Sequence, residues 1–214
     1  MADRLLVFGA SGHGKVVADV AMAAGWDVVG FADDNPDRKE SALLEIPVVA
    51  IGVAEAVLFC RREDAHAIVG IGNNQARRQV QSRLHDAGVA VATLIHPRAI
   101  LSPSARVGTG AVVVAGAVIN CETVVGQGSI INTGATVDHD CRLGDFVHVS
   151  PGAHLGGTVT VGDDAHIGIG AVVVNNVGIG AGSIVGAGAA VVSSIPAGVV
   201  AYGVPARVRR SLRP

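Results

Sequence analysis

From Leu101 to Val191 every sixth residue is Val, Ile or Leu, sixteen consecutive positions with no insertion. Four residues after these positions stand small or β-branched side chains, beginning Ala105, Ala111, Ala117, Thr123, Ser129, Ala135 and Cys141. A period of six is neither the 3.6 of a helix nor the alternation of an isolated strand; it is the signature of a parallel β-helix built from hexapeptides. Three flat sides per turn place residues eighteen apart on one side, with coils about 4.8 Å apart. No insertion is long enough to form an external loop. A site must therefore use the coil surface, the first domain or a neighbouring copy.

Residues 4–96 follow another rhythm. Arg4–Ala10 reads as a buried strand, Lys15–Ala24 as a helix, Asp27–Phe31 and Ala67–Ile71 as strands, Asn74–His85 as a helix and Val89–Ile95 as a fourth strand. Alternating strands and helices predict a small Rossmann-like parallel α/β sheet. The expected domains are 1–97, the repeat region 98–196 and a C-terminal tail 197–214 that carries Tyr202-Gly203-Val204-Pro205-Ala206-Arg207.

Composition narrows the function classes. Aromatics make up only 3% of a chain that is 50% hydrophobic, which suits a narrow aliphatic coil better than a sandwich. A net charge of −2 gives no electrostatic reason to expect nucleic acid or an anionic membrane. Asp3 and Arg4 interrupt the start and no eighteen-residue apolar run follows, so the expectation is a cytoplasmic protein. The three cysteines lack CxxC spacing, which points to neither a disulfide framework nor zinc. Cys141, in a small-residue slot, is expected to pack inward rather than act as a nucleophile.

Gly9 to Lys15 (GASGHGK) follows a strand and opens a helix, a setting in which backbone N–H groups approach phosphate. A magnesium-dependent P-loop is disfavoured because Val16 stands where Ser or Thr must ligate the metal. A dinucleotide fingerprint is disfavoured by the order GxxGxG. There remains a turn with no ligand, or a diphosphate of a nucleotide-linked substrate met by Ser11, Gly12 and His13, with Asp33 or Asp34 reaching ribose or base and Gly72 lining the same crevice. In the repeat, His148, His154 and His166 each precede an inward aliphatic and should point outward, His148 and His166 stacking on one side. His139 sits at a corner between Asp138 and Asp140, where a carboxylate orients an imidazole and raises its basicity, as a general base requires; a corner histidine satisfied locally is the plain alternative. The histidines offer no third close ligand, so no metal is expected, and a carbonic-anhydrase-like coil is disfavoured.

Taken together, GASGHGK, FADD, GIGNN, TVDHDCRLGDFVHVSPGAHLGG and YGVPAR resemble bacterial nucleotide-amino-sugar acetyltransferases, the sialic-acid O-acetyltransferase-like group that includes perosamine and bacillosamine N-acetyltransferases. The resemblance implies a homotrimer of left-handed β-helices, acetyl-CoA between adjacent subunits, and a nucleotide sugar on the N-terminal domain. It implies His139 as base, Asp140 (Glu in some members) as its acid partner, and Gly157 as backbone donor to the thioester oxygen. It also implies coenzyme contacts at His148, Ile169, Ala187 (Gly in some relatives) and Arg207 (often Lys), and nucleotide-sugar contacts at Ser11, Gly12, His13, Asp33, Asp34 and Gly72. The activity implied is N-acetylation of a nucleotide-linked 4-amino-4,6-dideoxy sugar by direct transfer, the alternative being O-acetylation of a sialic-acid-type sugar.

Overall fold

The computed structural model describes residues 2–212, and the chain divides into two compact units, Met1–Pro97 and Arg98–Pro214. The first unit is α/β. Strands β1 (Arg4–Phe8), β2 (Asp27–Asp33), β3 (Ala42–Leu43), β4 (Ile46–Ile51) and β5 (His66–Val69) form one sheet in the order β3-β4-β2-β1-β5, parallel except for β3. Helices α1 (Gly12–Ala23) and α2 (Gly52–Glu63) connect strands of this sheet, and α3 (Asn74–Asp86) follows β5. Leu6, Phe8, Ala32, Ala67 and Val69 are shut from water and form the core with the inward faces of α2 and α3.

Two local expectations are corrected. The run Val89–Ile95 does not make a full strand. Ala67 alone bridges to it, at Val91, and Leu94–Ile95 is a separate two-residue strand. β5 offers a short edge, and apolar composition does not reveal how long a partner will be. Helix α1 begins three residues before the expected start, because Gly12 and Gly14 are helical; Gly14 is needed there, since a Cβ on it would lie 1.8 Å from the Gly9 carbonyl oxygen.

The second unit is a left-handed parallel β-helix of hexapeptide repeats. Its two-residue strands run from Ile100–Leu101 to Ala190–Val191 and stack into three parallel sheets, each strand pairing with the one eighteen residues on. Thr136 thus lies beside His154, Arg142 beside Thr160, and His148 beside His166. The aliphatics at the six-residue period, such as Ile131, Val137, Val149 and Ile167, are wholly buried, and so are Ala135, Cys141, Ala153 and Ala165. Burying each large aliphatic contributes about 1.5–3 kcal/mol, and close packing against the small residues keeps the interior free of voids. Not every outward aliphatic stays exposed: Val172 does, whereas Val112 is buried. Nor is the segment after residue 196 a loose tail. Val199–Tyr202 continues the coil parallel to Ile184–Val185, and Arg207–Ser211 turns back against it. Among the described residues, no helix is long and apolar enough to cross a membrane.

Candidate active site

His139 stands at the corner after inward Val137, its side chain half exposed. Three contacts hold it. Its Nδ1 lies 2.8 Å from Asp140 Oδ2. Its backbone N–H donates to Asp138 Oδ1 at 2.8 Å. That same carboxylate oxygen accepts from Asn120 Nδ2, also at 2.8 Å. A carboxylate only accepts, so Nδ1 carries the proton, and in the neutral ring Nε2 keeps its lone pair. The hydrogen bond to Asp140 raises the His139 pKa above the ordinary histidine value, and the charges of Asp138 and Asp140 add to the effect against a small opposing contribution from burial. Asp138 is held below the usual carboxylate range, first by the His139 N–H and then by the Asn120 amide. Asp140 adopts a left-handed backbone (φ 59°), which short polar side chains tolerate, and its N–H donates to Cys121.

Gly157 lies one coil on. A Cβ there would meet His139 Cε1 at 2.5 Å and Nε2 at 2.6 Å, so the imidazole rests on bare backbone. Thr158 N–H donates to the His139 carbonyl and binds the two corners together. Among the described residues none accepts from the Gly157 N–H. Cys141 does point inward; its thiol donates to the Gly156 carbonyl, and burial raises its pKa.

The other expected coil residues lie elsewhere on the prism. His139, Gly157 and Asn175 share one edge. Pro151, Ile169 and Ala187 share another, joined by Gly170 N–H to Pro151 and Gly188 N–H to Ile169. Ile169 is 61% exposed and Ala187 is exposed. His148, expected outward, sits on the sheet that leads to that second edge and is nonetheless buried. Its Nε2 lies 3.2 Å from Asn132 Nδ2, and its ring stacks on His166 at 4.7 Å between centroids. One coil on, Ser150 Oγ and His166 Nε2 meet at 2.9 Å, but this serine is only 3% exposed and is no open nucleophile. Arg207 is exposed and donates to the Ala206 carbonyl. One copy therefore joins His139, Asp140 and Gly157, and does not bring Ile169 or Ala187 to them.

The first unit gathers the second set of expected residues at the C-terminal ends of its strands. Ser11 is the extended N-cap of α1, and Gly12 and His13 open the helix. Two turns are packed backbone to backbone: a Cβ on Gly9 would lie 2.8 Å from the Gly70 carbonyl oxygen, and one on Gly70 would lie 2.8 Å from Gly14 Cα. Asp33 braces this arrangement, accepting from Ala10 N–H at 2.6 Å and Asn35 N–H at 2.9 Å. Asp34 is exposed. Burial, assisted by the positive charge of Arg77, pushes the His13 pKa down to about 4, so its imidazole is neutral. Gly72 lies in the turn before α3, where Arg77 accounts for contacts that sequence reading missed. Among the described residues, no group of three or more His, Cys, Asp or Glu is placed to hold a metal ion.

Residues 4–84 match the PglD N-terminal domain family. The GDP-perosamine N-acetyltransferase of Caulobacter crescentus, crystallised as a histidine-to-alanine mutant with CoA and GDP-perosamine, shares 40% identity over 99% of each chain, with a TM-score of 0.92. The chain belongs to the family of perosamine and bacillosamine N-acetyltransferases. The acetyltransferase domain of PglB from Neisseria gonorrhoeae, in complex with acetyl coenzyme A, is also 40% identical, with a TM-score of 0.88 over 98% of this chain and 100% of that one. A curated relative in the same family, the UDP-N-acetylbacillosamine N-acetyltransferase of Bacillus subtilis (strain 168), is 40% identical over 119 residues. That match takes in 51% of this chain and 50% of the relative, about half its length.

Proposed function

We propose that the chain is an acetyl-CoA-dependent N-acetyltransferase that acts on the amino group of a nucleotide-linked 4-amino-4,6-dideoxy sugar, of the GDP-perosamine or UDP-bacillosamine-precursor type. The observation that carries this reading is the His139–Asp140 pair at 2.8 Å, seated on Gly157. The 40% identical relatives, one solved with CoA and GDP-perosamine, support the substrate class. On this reading residues 1–97 bind the nucleotide sugar through Ser11, Gly12, His13, Asp34 and Gly72, with Asp33 holding the loop. The coil, 98–196, carries the chemistry and the coenzyme contacts His148, Ile169 and Ala187, and the segment 197–214 adds Arg207.

The mechanism is direct transfer. The sugar amine adds to the thioester carbonyl, and His139 Nε2 takes its proton while Asp140 stabilises the imidazolium that results. The Gly157 N–H donates to the developing oxyanion; one well-placed donor contributes about 3 kcal/mol to such a step. The C–S bond then breaks and CoA leaves as the thiolate, which takes up a proton. No acetyl-enzyme forms, since Cys141 is buried within the coil. Because Ile169 and Ala187 lie on a different edge from His139, the full site requires a second copy, and a closed homotrimer supplies three such sites. The same histidine would serve a hydroxyl acceptor in an O-acetyltransferase, but the N-acetyltransferase relatives favour an amine.

The test is to incubate the protein with acetyl-CoA and GDP-, UDP- or CMP-linked amino sugars and to follow free thiol. Release is expected with one amino sugar and not with its N-acetylated form. No release with any amino acceptor would end the reading, and a His139→Asn variant that keeps most of the turnover would end the assignment of the base.

A further inference from the structure

Arg77 is wholly buried, an unusual setting for an arginine, and it sits one turn into α3. Its Nη1 donates to the carbonyls of Ile71 at 3.0 Å and Gly72 at 3.3 Å, and its Nη2 donates to Asn74 Oδ1 at 2.8 Å. These acceptors belong to the turn that connects β5 to α3. Asn73 caps the same helix through its side chain, accepting from Ala76 N–H at 2.9 Å. The turn is fixed on its other side by the glycine contact between Gly9 and Gly70. One guanidinium therefore ties the second turn of the crevice to α3, and its charge is felt at His13 in the first turn.

We propose that Arg77 is the positioning residue of the nucleotide-sugar subsite, its buried guanidinium holding the Ile71–Gly72 carbonyls and the Asn74 amide in the arrangement that receives the diphosphate-linked substrate beside His13. The proposal rests on the acetyltransferase reading above. Three features carry it. The fork reaches three acceptors from one planar group, a geometry that lysine cannot reproduce. Those acceptors frame Gly72, where an added Cβ would meet only open space. A site is precise when a rigid layer behind it locks the groups that touch the ligand. The positive charge of Arg77 reaches His13, Lys15 stands two residues after it in α1, and Asp33 is engaged with Ala10 and Asn35.

The experiment measures binding of GDP and of UDP to the full-length protein by calorimetry, together with steady-state kinetics. Wild type, Arg77→Met, Arg77→Lys and Asn74→Ala are compared, with thermal melts to confirm folding. For Arg77→Met the expected result is a Kd for the preferred nucleotide weakened at least tenfold. KM for the nucleotide sugar should rise in parallel, while KM for acetyl-CoA stays within twofold. Arg77→Lys should recover only part of the loss, and Asn74→Ala should weaken binding several-fold. By NMR, the His13 imidazole should titrate higher in Arg77→Met, since the positive charge that helps to depress it is gone. Should Arg77→Met fail to fold, Asn74→Ala decides, and a wild-type Kd there overturns the proposal. So does an unchanged Kd in folded Arg77→Met, or an equal rise in both KM values. Wild type that binds neither nucleotide and acetylates nothing overturns the functional reading and the proposal with it; wild type that binds, with variants equal to it, overturns the proposal alone.

Discussion

His139 and Gly157 occupy neighbouring corners of one edge, close enough that a single added methyl at Gly157 would lie 2.5 Å from the imidazole Cε1. Gly157 does not adopt a left-handed backbone, so alanine there meets no backbone strain. The conflict is with the ring alone. Gly157→Ala should leave the melting temperature nearly unchanged and lower kcat/KM by about 10²-fold, because a small displacement of a base or of an oxyanion donor costs that much. A folded Gly157→Ala protein with wild-type kcat/KM would remove this contact from the chemistry.

Asp140→Asn tests the electrostatics. As the proposed base His139 works only when neutral, and its pKa is raised chiefly by the hydrogen bond to Asp140. The acid limb of the kcat/KM profile is therefore expected above the ordinary histidine range. Removing the carboxylate takes away the largest cause, so the limb should move to lower pH while the plateau falls. The charge of Asp138 remains and keeps part of the shift. A profile with an unmoved limb would remove Asp140 from the mechanism.

Asp33 offers a stability readout alongside a kinetic one. Its two oxygens accept from Ala10 and Asn35, so Asp33→Ala leaves two N–H donors without their acceptor. Losing the part-buried bond from Ala10 costs about 1.5–3 kcal/mol, and the exposed bond from Asn35 adds little because water replaces it. Chemical denaturation should show a loss in that range, and KM for the nucleotide sugar should rise with KM for acetyl-CoA unaffected. A stable variant with unchanged kinetics would show that the loop holds its shape without this brace.

These residues also show what the sequence could and could not reveal. The six-residue period placed every inward aliphatic of the coil, because a closed repeat leaves the side chain no other direction. The same spacing set Gly157 one coil from His139, and it also set Asp138 one coil from Asn120, though spacing alone does not show that two polar side chains turn toward each other. The family resemblance, rather than periodicity, supplied Ile169 and Ala187. Arg77 gave no signal: in a sequence an arginine on a helix reads as exposed, and only packing shows that its partners are main-chain carbonyls. The burial of Val112 and His148 was illegible for a related reason, since a period tells which way a side chain points and not what covers it.

The proposed division of the site between two edges leads to a complementation experiment. His139→Asn removes the base from one edge and leaves the second intact. Ala187→Trp places a large ring on the exposed second edge, beside Ile169, and leaves His139 intact. Each variant assembled from identical copies should lose nearly all activity. If a site draws His139 from one copy and Ala187 from the next, a mixed assembly contains some junctions in which both contributions are wild type. Random mixing in equal amounts makes that arrangement at roughly a quarter of the junctions of a closed ring, where each junction is heterologous. Co-refolded or co-expressed variants should therefore recover roughly a quarter of wild-type turnover, whereas simply combining the two preformed proteins should recover little until subunits exchange. Persistent inactivity of a verified mixed assembly would mean that His139 and Ala187 serve the same site from within one chain, and the shared-junction reading would fail.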